Sequence, residues 1–267
     1  MGIFANNTRR MLEAGRVVLG LGVRQARSVE IGMIARAAGF DFLFIDREHG
    51  PMGMDTAAEL CVAALGQGVT PIVRVAGPEP HHYIALLDSG AQGVCVPHVD
   101  TAEQARAIVA NAKYPPIGHR SISRTSPLSG YESLPIEQFT REGNAETLVI
   151  AMLESPEAIA QADAIAAVEH VDVLLIGTSD LCNELGIPGE FGHERIVQAY
   201  ETVVAACRRH GKHAGMSGVR EDALMRRYIE MGARFVVAGT DVPLLIEAGK
   251  GRTRLLRDIE SGLGKKE

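Results

Sequence analysis

The apolar and polar positions of this chain follow two alternating patterns. Short, nearly continuous apolar runs rich in Val, Ile, Leu and Phe recur, as is typical of strands that are buried on both faces of a parallel sheet. Eight such runs are found, at residues 17–23, 42–48, 71–76, 93–99, 147–154, 171–177, 213–219 and 235–239. Eight parallel strands are the number that closes a (β/α)8 barrel.

The segments between these runs carry Ala, Leu, Glu and Arg at helical spacing. They predict helices at residues 56–65, 84–89, 102–112, 156–168, 194–210 and 221–231. Ser155 precedes one of them as an N-cap, while Gly90, Gly211 and Gly232 stand where helix C-termini require a permissive residue. This alternation predicts one α/β domain, a (β/α)8 TIM barrel that spans residues 1–267.

Three segments lie outside the alternating pattern. Residues 1–14 predict an extra N-terminal helix that covers the bottom of the barrel, and the chain after Pro243 predicts a final helix. Residues 114–144 form a long insertion that is rich in Pro and Gly. Loops of that length in compact domains are usually functional or form interfaces.

Composition narrows the choice of partners and of compartment. The chain is 46% apolar and 22% charged with a net charge of −6, and no dense basic run attracts nucleic acid or an anionic membrane. No apolar run approaches the roughly 20 residues that span a bilayer. The four cysteines form no CxxC pair, so we expect reduced thiols in a cytoplasmic protein.

Two acidic residues stand at the carboxyl ends of neighbouring predicted strands, where barrel enzymes place their reacting groups. Glu154 ends the fifth run and Asp180 follows the sixth. Adjacent strands lie about 4.8 Å apart, so the two carboxylates can converge on a hard cation such as Mg2+ or Mn2+. Such an ion polarises a 2-oxo acid and favours its enolate. In the alternative interpretation, Glu154 starts the next helix and Asp180 caps a loop.

Arg74 lies inside the apolar third strand, where an unpaired guanidinium is costly. We expect an anionic partner for it, which is either a carboxylate or carbonyl oxygen of the substrate or a structural ion pair with an acid such as Glu48.

His49 follows Asp46 by three positions in a turn after the second strand. An imidazole that is oriented by a carboxylate is the usual general base near neutral pH. Asp88, near the end of the helix after Arg74, is a second candidate for that orienting role. The alternative is a structural or merely exposed histidine, and the other eight histidines have no comparable setting.

Other motifs of catalysis and cofactor binding are missing. The sequence has no Walker-type loop, no HExxH, no Gly-x-Ser-x-Gly elbow and no dinucleotide fingerprint, so no nucleotide cofactor is expected. A Schiff-base lysine needs a lowered pKa, which desolvation inside a buried strand run would supply. Lysines such as Lys113 lie outside those runs, and this position disfavours a Schiff base.

Seven ordered segments resemble the HpcH/HpaI aldolases, which include 4-hydroxy-2-oxoheptanedioate and 2-keto-3-deoxy-sugar-acid aldolases. They are residues 44–50 (FIDREHG), 71–74 (PIVR), 87–93 (LDSGAQG), 96–105 (VPHVDTAEQA), 114–120 (YPPIGHR), 153–155 (LES) and 176–181 (IGTSDL). The resemblance covers most of the chain. It implies a class II aldolase that cleaves or forms 4-hydroxy-2-oxo acids through a pyruvate enolate, giving pyruvate and an aldehyde.

The resemblance also implies roles for particular residues. Glu154 and Asp180 hold Mg2+, Mn2+ or Co2+, and Arg74 steadies the oxygens of pyruvate. His49 is the base. It is oriented either by Asp46 or by Asp88, with Asp88 coming from a neighbouring subunit. Backbone amides around Ser179 and Asp180 bind the substrate carboxylate.

The resemblance further implies a homo-oligomer, a hexamer or a trimer, in which barrels exchange their C-terminal helices. Arg47, Met152 and Ser121 depart from the common pattern near the mouth and leave the substrate open. Two alternatives therefore remain, a related lyase that acts on oxaloacetate or on an acyl-CoA, and a barrel that binds an oxo acid without turnover.

Overall fold

The computed structural model describes residues 2–263 and contains the predicted barrel. Its strands are β1 Val18–Val23, β2 Phe42–Asp46, β3 Thr70–Arg74, β4 Gly93–Val96, β5 Leu148–Leu153, β6 Val173–Gly177, β7 His213–Ser217 and β8 Ala233–Thr240. Each strand pairs in parallel with the next, and β8 pairs with β1. The predicted (β/α)8 fold is confirmed, and every strand boundary agrees with the prediction to within three residues.

The interior of the barrel is filled by large apolar side chains from alternate strand positions. The Phe42 and Phe235 rings stack with their centroids 4.4 Å apart. Gly20 faces them, and a Cβ there would lie 2.1 Å from the Phe42 ring, so only glycine fits. At the bottom, Leu12 joins this cluster from the predicted N-terminal helix. The extra helix thus closes the lower end of the barrel.

Twelve α-helices surround the strands within the described residues. They are α1 Asn7–Glu13, α2 Ile31–Ala37, α3 Met54–Gly66, α4 Ile84–Asp88, α5 Ala102–Ala112, α6 Ile136–Glu146, α7 Pro156–Ala160, α8 Ala162–Ala166, α9 Thr178–Glu184, α10 Glu194–His210, α11 Asp222–Met231 and α12 Asp241–Leu263. Across residues 2–263, every helix is too short or too polar to cross a bilayer.

Several helices differ from the prediction. Helix α2 was not predicted because its segment is apolar nearly all round. Ile31 and Ala35 are buried, but Met33 and Ile34 are exposed, so no polar face marks the helical period. The predicted helix 156–168 is two short helices that break at Gln161. Ser155 caps the first of them as predicted, because its side chain accepts a hydrogen bond from the Ala158 N–H.

The long insertion contains regular structure. It contains a 3-10 turn at Pro127–Ser129 and the start of α6. Asn144 ties the two ends of the insertion together, since its side chain accepts from the Tyr114 N–H at 2.7 Å and donates to the Tyr114 carbonyl at 3.0 Å.

Lys113 corrects one expectation from the sequence. Its side chain is buried and donates to the Asn144 and Thr147 carbonyls, and burial lowers the pKa of the amine to about 8. Burial therefore does lower the pKa of this lysine, and the prediction that it would not was wrong. Lys113 lies at the amino end of β5, at the opposite end of the barrel from the predicted site, so it remains a structural residue.

Candidate active site

A cavity of about 280 Å³ opens at the carboxyl ends of the strands. Its polar side chains are Arg24, Asp46, His49, Arg74, Thr178, Ser179, Asp180, Ser217, Arg220 and Thr240. A larger cavity of about 750 Å³ lies outside the barrel near α2 and α3, away from the strand ends. Because barrel chemistry takes place at the strand ends, the smaller cavity is the candidate active site.

Asp46 and Arg74 form a buried ion pair at the base of this cavity. They are partners in the β2–β3 register, and Arg74 Nη2 lies 2.6 Å from Asp46 Oδ2. Burial raises the pKa of Asp46. The hydrogen bond and charge of Arg74 and two backbone N–H groups lower the pKa by more than burial raises it, so the net shift is downward. Asp46 therefore stays ionised.

Glu48 contacts the other side of the same guanidinium. Arg74 Nη1 lies 3.0 Å from Glu48 Oε2, which is the ion pair that the sequence offered as an alternative. The guanidinium thus lies between two acids and also faces the cavity. Burial favours loss of its proton, but Asp46 and Glu48 outweigh burial and raise the pKa of Arg74.

His49 stands at the mouth with its side chain half exposed. Its backbone N–H donates to Asp46 Oδ1 at 3.2 Å, so Asp46 fixes the backbone of His49 and not its ring. The acid near the imidazole is Glu48, whose Oε2 lies 3.6 Å from His49 Nε2. Glu48 was not considered for this role in the sequence analysis.

Glu154 is almost fully buried beside the cavity. Its Oε2 accepts a hydrogen bond from the His98 N–H at 3.0 Å, whereas its Oε1 has no hydrogen-bond partner within residues 2–263. Burial raises the pKa of Glu154 to about 7; His98 opposes this shift, and the negative charges of Glu48 and Asp180 add to it. Glu154 and Asp180 therefore lie close enough to repel each other.

The donor chemistry of this pair fits a divalent cation. Carboxylate oxygens are the ligands that hard cations prefer, Glu154 has an unsatisfied buried oxygen, and the charge of Asp180 acts on Glu154. The described part of the chain has no cluster of three or more His, Cys, Asp or Glu side chains arranged for a metal. The protein thus offers two carboxylates, which suits a cation that keeps several waters.

His98 connects the two sides of the site. Its Nε2 lies 3.3 Å from Glu48 Oε1, and its Nδ1 lies 3.3 Å from Glu154 Oε2. The backbone of His98 is left-handed with φ +53°, which is uncommon for a residue other than glycine. No role was predicted for His98 from the sequence, although its position two residues after β4 was a usable signal.

Ser179 and Asp180 lie in the first turn of α9, directly after β6, and both line the cavity. Across from them, Gly218 has φ +88°, and a Cβ at this glycine would lie 2.8 Å from Ser179 Oγ. The two loops are therefore closely packed.

Asp88 lies outside the candidate active site. It ends α4, where its Oδ1 accepts from Arg120 Nη2 at 2.6 Å, and it lines the outer cavity. The fold therefore does not bring Asp88 to His49 of the same chain. Its predicted approach from a second subunit stays a prediction.

The model of the family described as HpcH/HpaI aldolase/citrate lyase matches residues 24–248. The chain belongs to this family.

Relatives of this family member are similar over nearly their whole length. A 4-hydroxy-4-methyl-2-oxoglutarate aldolase from Hapsidospora irregularis is 38% identical, with 92% of each chain covered. A 5-keto-4-deoxy-D-glucarate aldolase from Citrobacter koseri is 34% identical, with 90% of this chain and 92% of the relative covered. The crystal structure of an HpcH/HpaI aldolase from Desulfitobacterium hafniense has a TM-score of 0.87 at 31% identity, covering 92% of this chain and 95% of that one. These similarities identify an enzyme of the aldolase and lyase type.

Two arginines of this HpcH/HpaI member were missed by the sequence analysis. Arg24 directly follows β1 and Arg220 follows β7, and both line the cavity. The rule that directed attention to strand ends applied to them equally, but neither stands inside an apolar run as Arg74 does.

Proposed function

We propose that this protein is a divalent-metal-dependent aldolase that cleaves or forms 4-hydroxy-2-oxo acids through a pyruvate enolate, giving pyruvate or a close analogue and an aldehyde. The arrangement that supports this most directly is Arg74, held between two acids and facing the same cavity as Asp180. The four buried, free cysteines suit a protein that acts in the cytoplasm.

Arg74 orients the 2-oxo acid. Two of its five N–H groups donate to Asp46 and one donates to the Met152 sulfur, which leaves two for substrate oxygens. Its positive charge favours the negative charge that develops on the ketone oxygen as the methyl proton leaves. Because two acids fix the guanidinium in advance, little reorganisation is needed during the reaction.

His49 is the base that takes the methyl proton, since its ring lines the cavity beside Arg74. Asp46 holds the backbone of His49, and Glu48 lies next to the imidazole. Ser179 and the backbone amides at the start of α9 bind the substrate carboxylate. Glu154 and Asp180 hold Mg2+, Mn2+ or Co2+, and when bound the ion supplies Lewis-acid polarisation of the ketone.

The test is hydrogen–deuterium exchange at the pyruvate methyl group, followed by NMR. We expect exchange with metal-loaded protein, loss of exchange after EDTA treatment and loss in Arg74→Ala. Arg226→Ala, which removes an exposed arginine of α11, serves as the matched control and keeps the wild-type rate.

Other outcomes of this experiment identify other reactions. Exchange that persists without metal contradicts metal dependence. Release of CO2 from oxaloacetate without aldol product from pyruvate and an aldehyde indicates a decarboxylase. Absence of exchange under every condition favours a lyase that acts on an acyl-CoA, or a barrel that only binds its ligand.

We also propose that the protein is a homo-oligomer, a hexamer or a trimer, in which α12 packs on a neighbouring barrel. Helix α12 has no buried residue in the described chain, and its Leu245 and Leu256 are 75% and 55% exposed. The outer cavity offers an apolar surface that includes Met33 and Val62. Asp88 lines this cavity too, so a second subunit that covers the cavity would contact Asp88.

Light scattering after size-exclusion chromatography tests the assembly. We expect wild-type protein to elute as an oligomer, and Leu245→Glu combined with Leu256→Glu to shift it to smaller species. Arg252→Glu changes an exposed charge on the same helix and is expected to leave the mass unchanged. A monomeric wild type contradicts the proposal.

A further inference from the structure

His98 has an uncommon backbone conformation at the mouth of the barrel. It lies two residues after β4, in a loop at the carboxyl ends of the strands, and its φ is +53°. A left-handed backbone at a residue other than glycine is retained where the surrounding structure holds it, most often at active sites and ligand clamps. The contacts of His98 indicate what this loop is held for.

Two groups of His98 meet the same oxygen of Glu154. The backbone N–H of His98 donates to Glu154 Oε2 at 3.0 Å, and its ring Nδ1 lies 3.3 Å from that oxygen. Glu154 is only 2% exposed, so protein groups replace most of the water that would otherwise bind its carboxylate. His98 therefore determines which oxygen of Glu154 faces the loop after β4.

The second oxygen of Glu154 is left for a ligand. Oε1 is buried, and no residue from 2 to 263 donates a hydrogen bond to it. A Cβ at Gly177 would lie 2.5 Å from Oε1, so this oxygen lies against the end of β6, which lines the cavity. Asp180 follows three residues later, in the first turn of α9, and its charge acts on Glu154. Oε1 is thus the oxygen that can share a cation with Asp180.

The second nitrogen of the His98 ring reaches the other side of the site. His98 Nε2 lies 3.3 Å from Glu48 Oε1. Glu48 Oε2 in turn lies 3.0 Å from Arg74 Nη1 and 3.6 Å from His49 Nε2. Because an imidazole carries an N–H group in either tautomer, the ring offers a donor to the two acids beside it. One ring thereby joins the acid of the metal pair to the acid that contacts the arginine and the proposed base.

We propose that His98 is a positioning residue of the metal site. It holds Oε2 of Glu154, so that Glu154 binds the cation through Oε1 alone, and it ties Glu154 to Glu48. This inference rests on the proposed function, from which it takes a cation held by Glu154 and Asp180. Partners that orient a metal ligand in advance strengthen metal binding, and removing one typically costs about 10- to 100-fold in metal affinity.

The experiment measures the Mn2+ affinity of metal-free protein, by isothermal titration calorimetry and by the EPR signal of free Mn2+. His98→Gly removes the ring but keeps the backbone N–H, and glycine adopts the left-handed backbone without strain. We expect the affinity to fall about 10-fold, the low end for such a partner, because the His98 side chain is 66% exposed.

His170→Gly is the matched control. His170 also has a left-handed backbone, with φ +65°, but it precedes β6 at the opposite end of the barrel. We expect this variant to bind Mn2+ as the wild type does. An equal loss of affinity in both glycine variants would assign the effect to the added glycine and would overturn the inference.

Two conservative variants separate the two ring nitrogens. The amide nitrogen of asparagine is as many bonds from Cα as Nδ1 is, whereas that of glutamine corresponds to Nε2. Asparagine also tolerates the left-handed backbone. We therefore expect His98→Asn to recover most of the Mn2+ affinity that is lost in His98→Gly, and His98→Gln to recover little. Equal affinity in His98→Asn and His98→Gly would contradict the role given to Nδ1.

A double-mutant cycle tests the link to Glu48. Glu48→Gln is measured alone and together with His98→Gly. We expect the effects of the two substitutions on Mn2+ affinity to be non-additive, because the ring that joins Glu48 to Glu154 is absent from the double variant. Additive effects would overturn the link.

Failure of this inference can be told from failure of the proposed function. If the wild type binds Mn2+ and His98→Gly binds it equally well or more tightly, His98 has no positioning role, while the aldolase proposal stands. If the wild type binds no Mn2+, the metal dependence of the proposed function fails and this inference fails with it.

Discussion

The Arg74 guanidinium binds the Asp46 carboxylate through two hydrogen bonds, Nη2 to Oδ2 at 2.6 Å and Nε to Oδ1 at 3.1 Å. This side-by-side pairing fixes the plane of the guanidinium, since a fork that is held at two points cannot rotate. The same carboxylate also accepts the N–H groups of Glu48 and His49. One buried acid therefore positions an arginine and the turn that carries the predicted base.

Replacing Asp46 by Asn is expected to lower the free energy of unfolding at pH 7 by about 3 kcal/mol, the low end for breaking a buried ion pair, because Glu48 remains as a partner of Arg74. The pKa of Asp46 is lowered in the folded protein, so its contribution is complete above 3.8 and is lost as the pH falls through the folded value. Urea unfolding of both proteins across acid pH measures this.

The difference between wild type and Asp46→Asn should accordingly shrink below pH 3.8. Asp55→Asn, at an exposed position in α3, is the control and should differ little from the wild type. A constant difference at every pH contradicts the assignment of the effect to the ionised carboxylate.

Gly177→Ala is expected to weaken metal binding. A Cβ at residue 177 would lie 2.5 Å from Glu154 Oε1 and 2.6 Å from its Cγ, so the carboxylate must move. Displacing a metal ligand or its support typically costs about 10- to 100-fold in metal affinity. Titration of Mn2+ against the thermal unfolding temperature measures the apparent affinity.

Gly66→Ala is the matched control for this change, because nothing lies within 4 Å of a Cβ at that helical position. Equal Mn2+ affinity in wild type and Gly177→Ala would contradict the proposal that Glu154 is a metal ligand.

At His98, glycine should be better tolerated than alanine. Both substitutions remove the imidazole, so the loss of its contacts contributes equally to the stability of the two variants. Alanine at φ +53° bears the cost of a left-handed backbone, and glycine does not, so His98→Gly is expected to be more stable than His98→Ala by about 1 kcal/mol. Chemical denaturation gives the two values.

His119 provides the reverse case, since it is exposed and is not among the residues with positive φ. There the alanine variant should be the more stable one, because glycine has more freedom to lose on folding. The same order at both positions contradicts the explanation from backbone strain.

Lys113 predicts a pH dependence of stability. Its pKa falls from 10.5 to about 8 on folding, so the unfolded chain binds more protons between these values. The contribution of Lys113 to stability therefore rises as the pH increases from about 8 to 10.5. Lys113→Met lacks this proton, and the wild type should gain stability relative to it across that window. Parallel unfolding curves at pH 7, 8.5 and 10 measure the gain, and a constant difference contradicts it.

The barrel was predictable because each strand is signalled locally. Buried parallel strands read as apolar runs regardless of what they contact, and the eight runs fell on the eight strands. Helix α2 was not predicted because its exposed apolar residues Met33 and Ile34 obscure the helical period. The surface that these residues form is a property of the folded chain and is not visible in a local window.

The site was predictable in its location and less so in its pairings. Strand ends directed attention to Glu154 and Asp180, and the apolar third strand directed it to Arg74. Arg74 and Asp180 line the same cavity, and Glu154 is buried against Gly177, which lines it too. The sequence linked Asp46 to His49 because the two are three residues apart. The structure instead places Asp46 opposite Arg74, because the β2–β3 register aligns them across 28 positions of sequence. Register between strands depends on the whole sheet, so no local pattern reveals it.

Asp241 joins two parts of the molecule that are separated by more than two hundred residues. Its carboxylate accepts hydrogen bonds from three backbone N–H groups of the loop after β1, and Asp241 is also the first residue of α12. Any shift of that helix start pulls on the loop that holds Arg24 beneath the His49 carbonyl. One carboxylate therefore holds both the start of the C-terminal helix and the loop that carries Arg24 into the cavity, and we expect a substitution of Asp241 to disturb both.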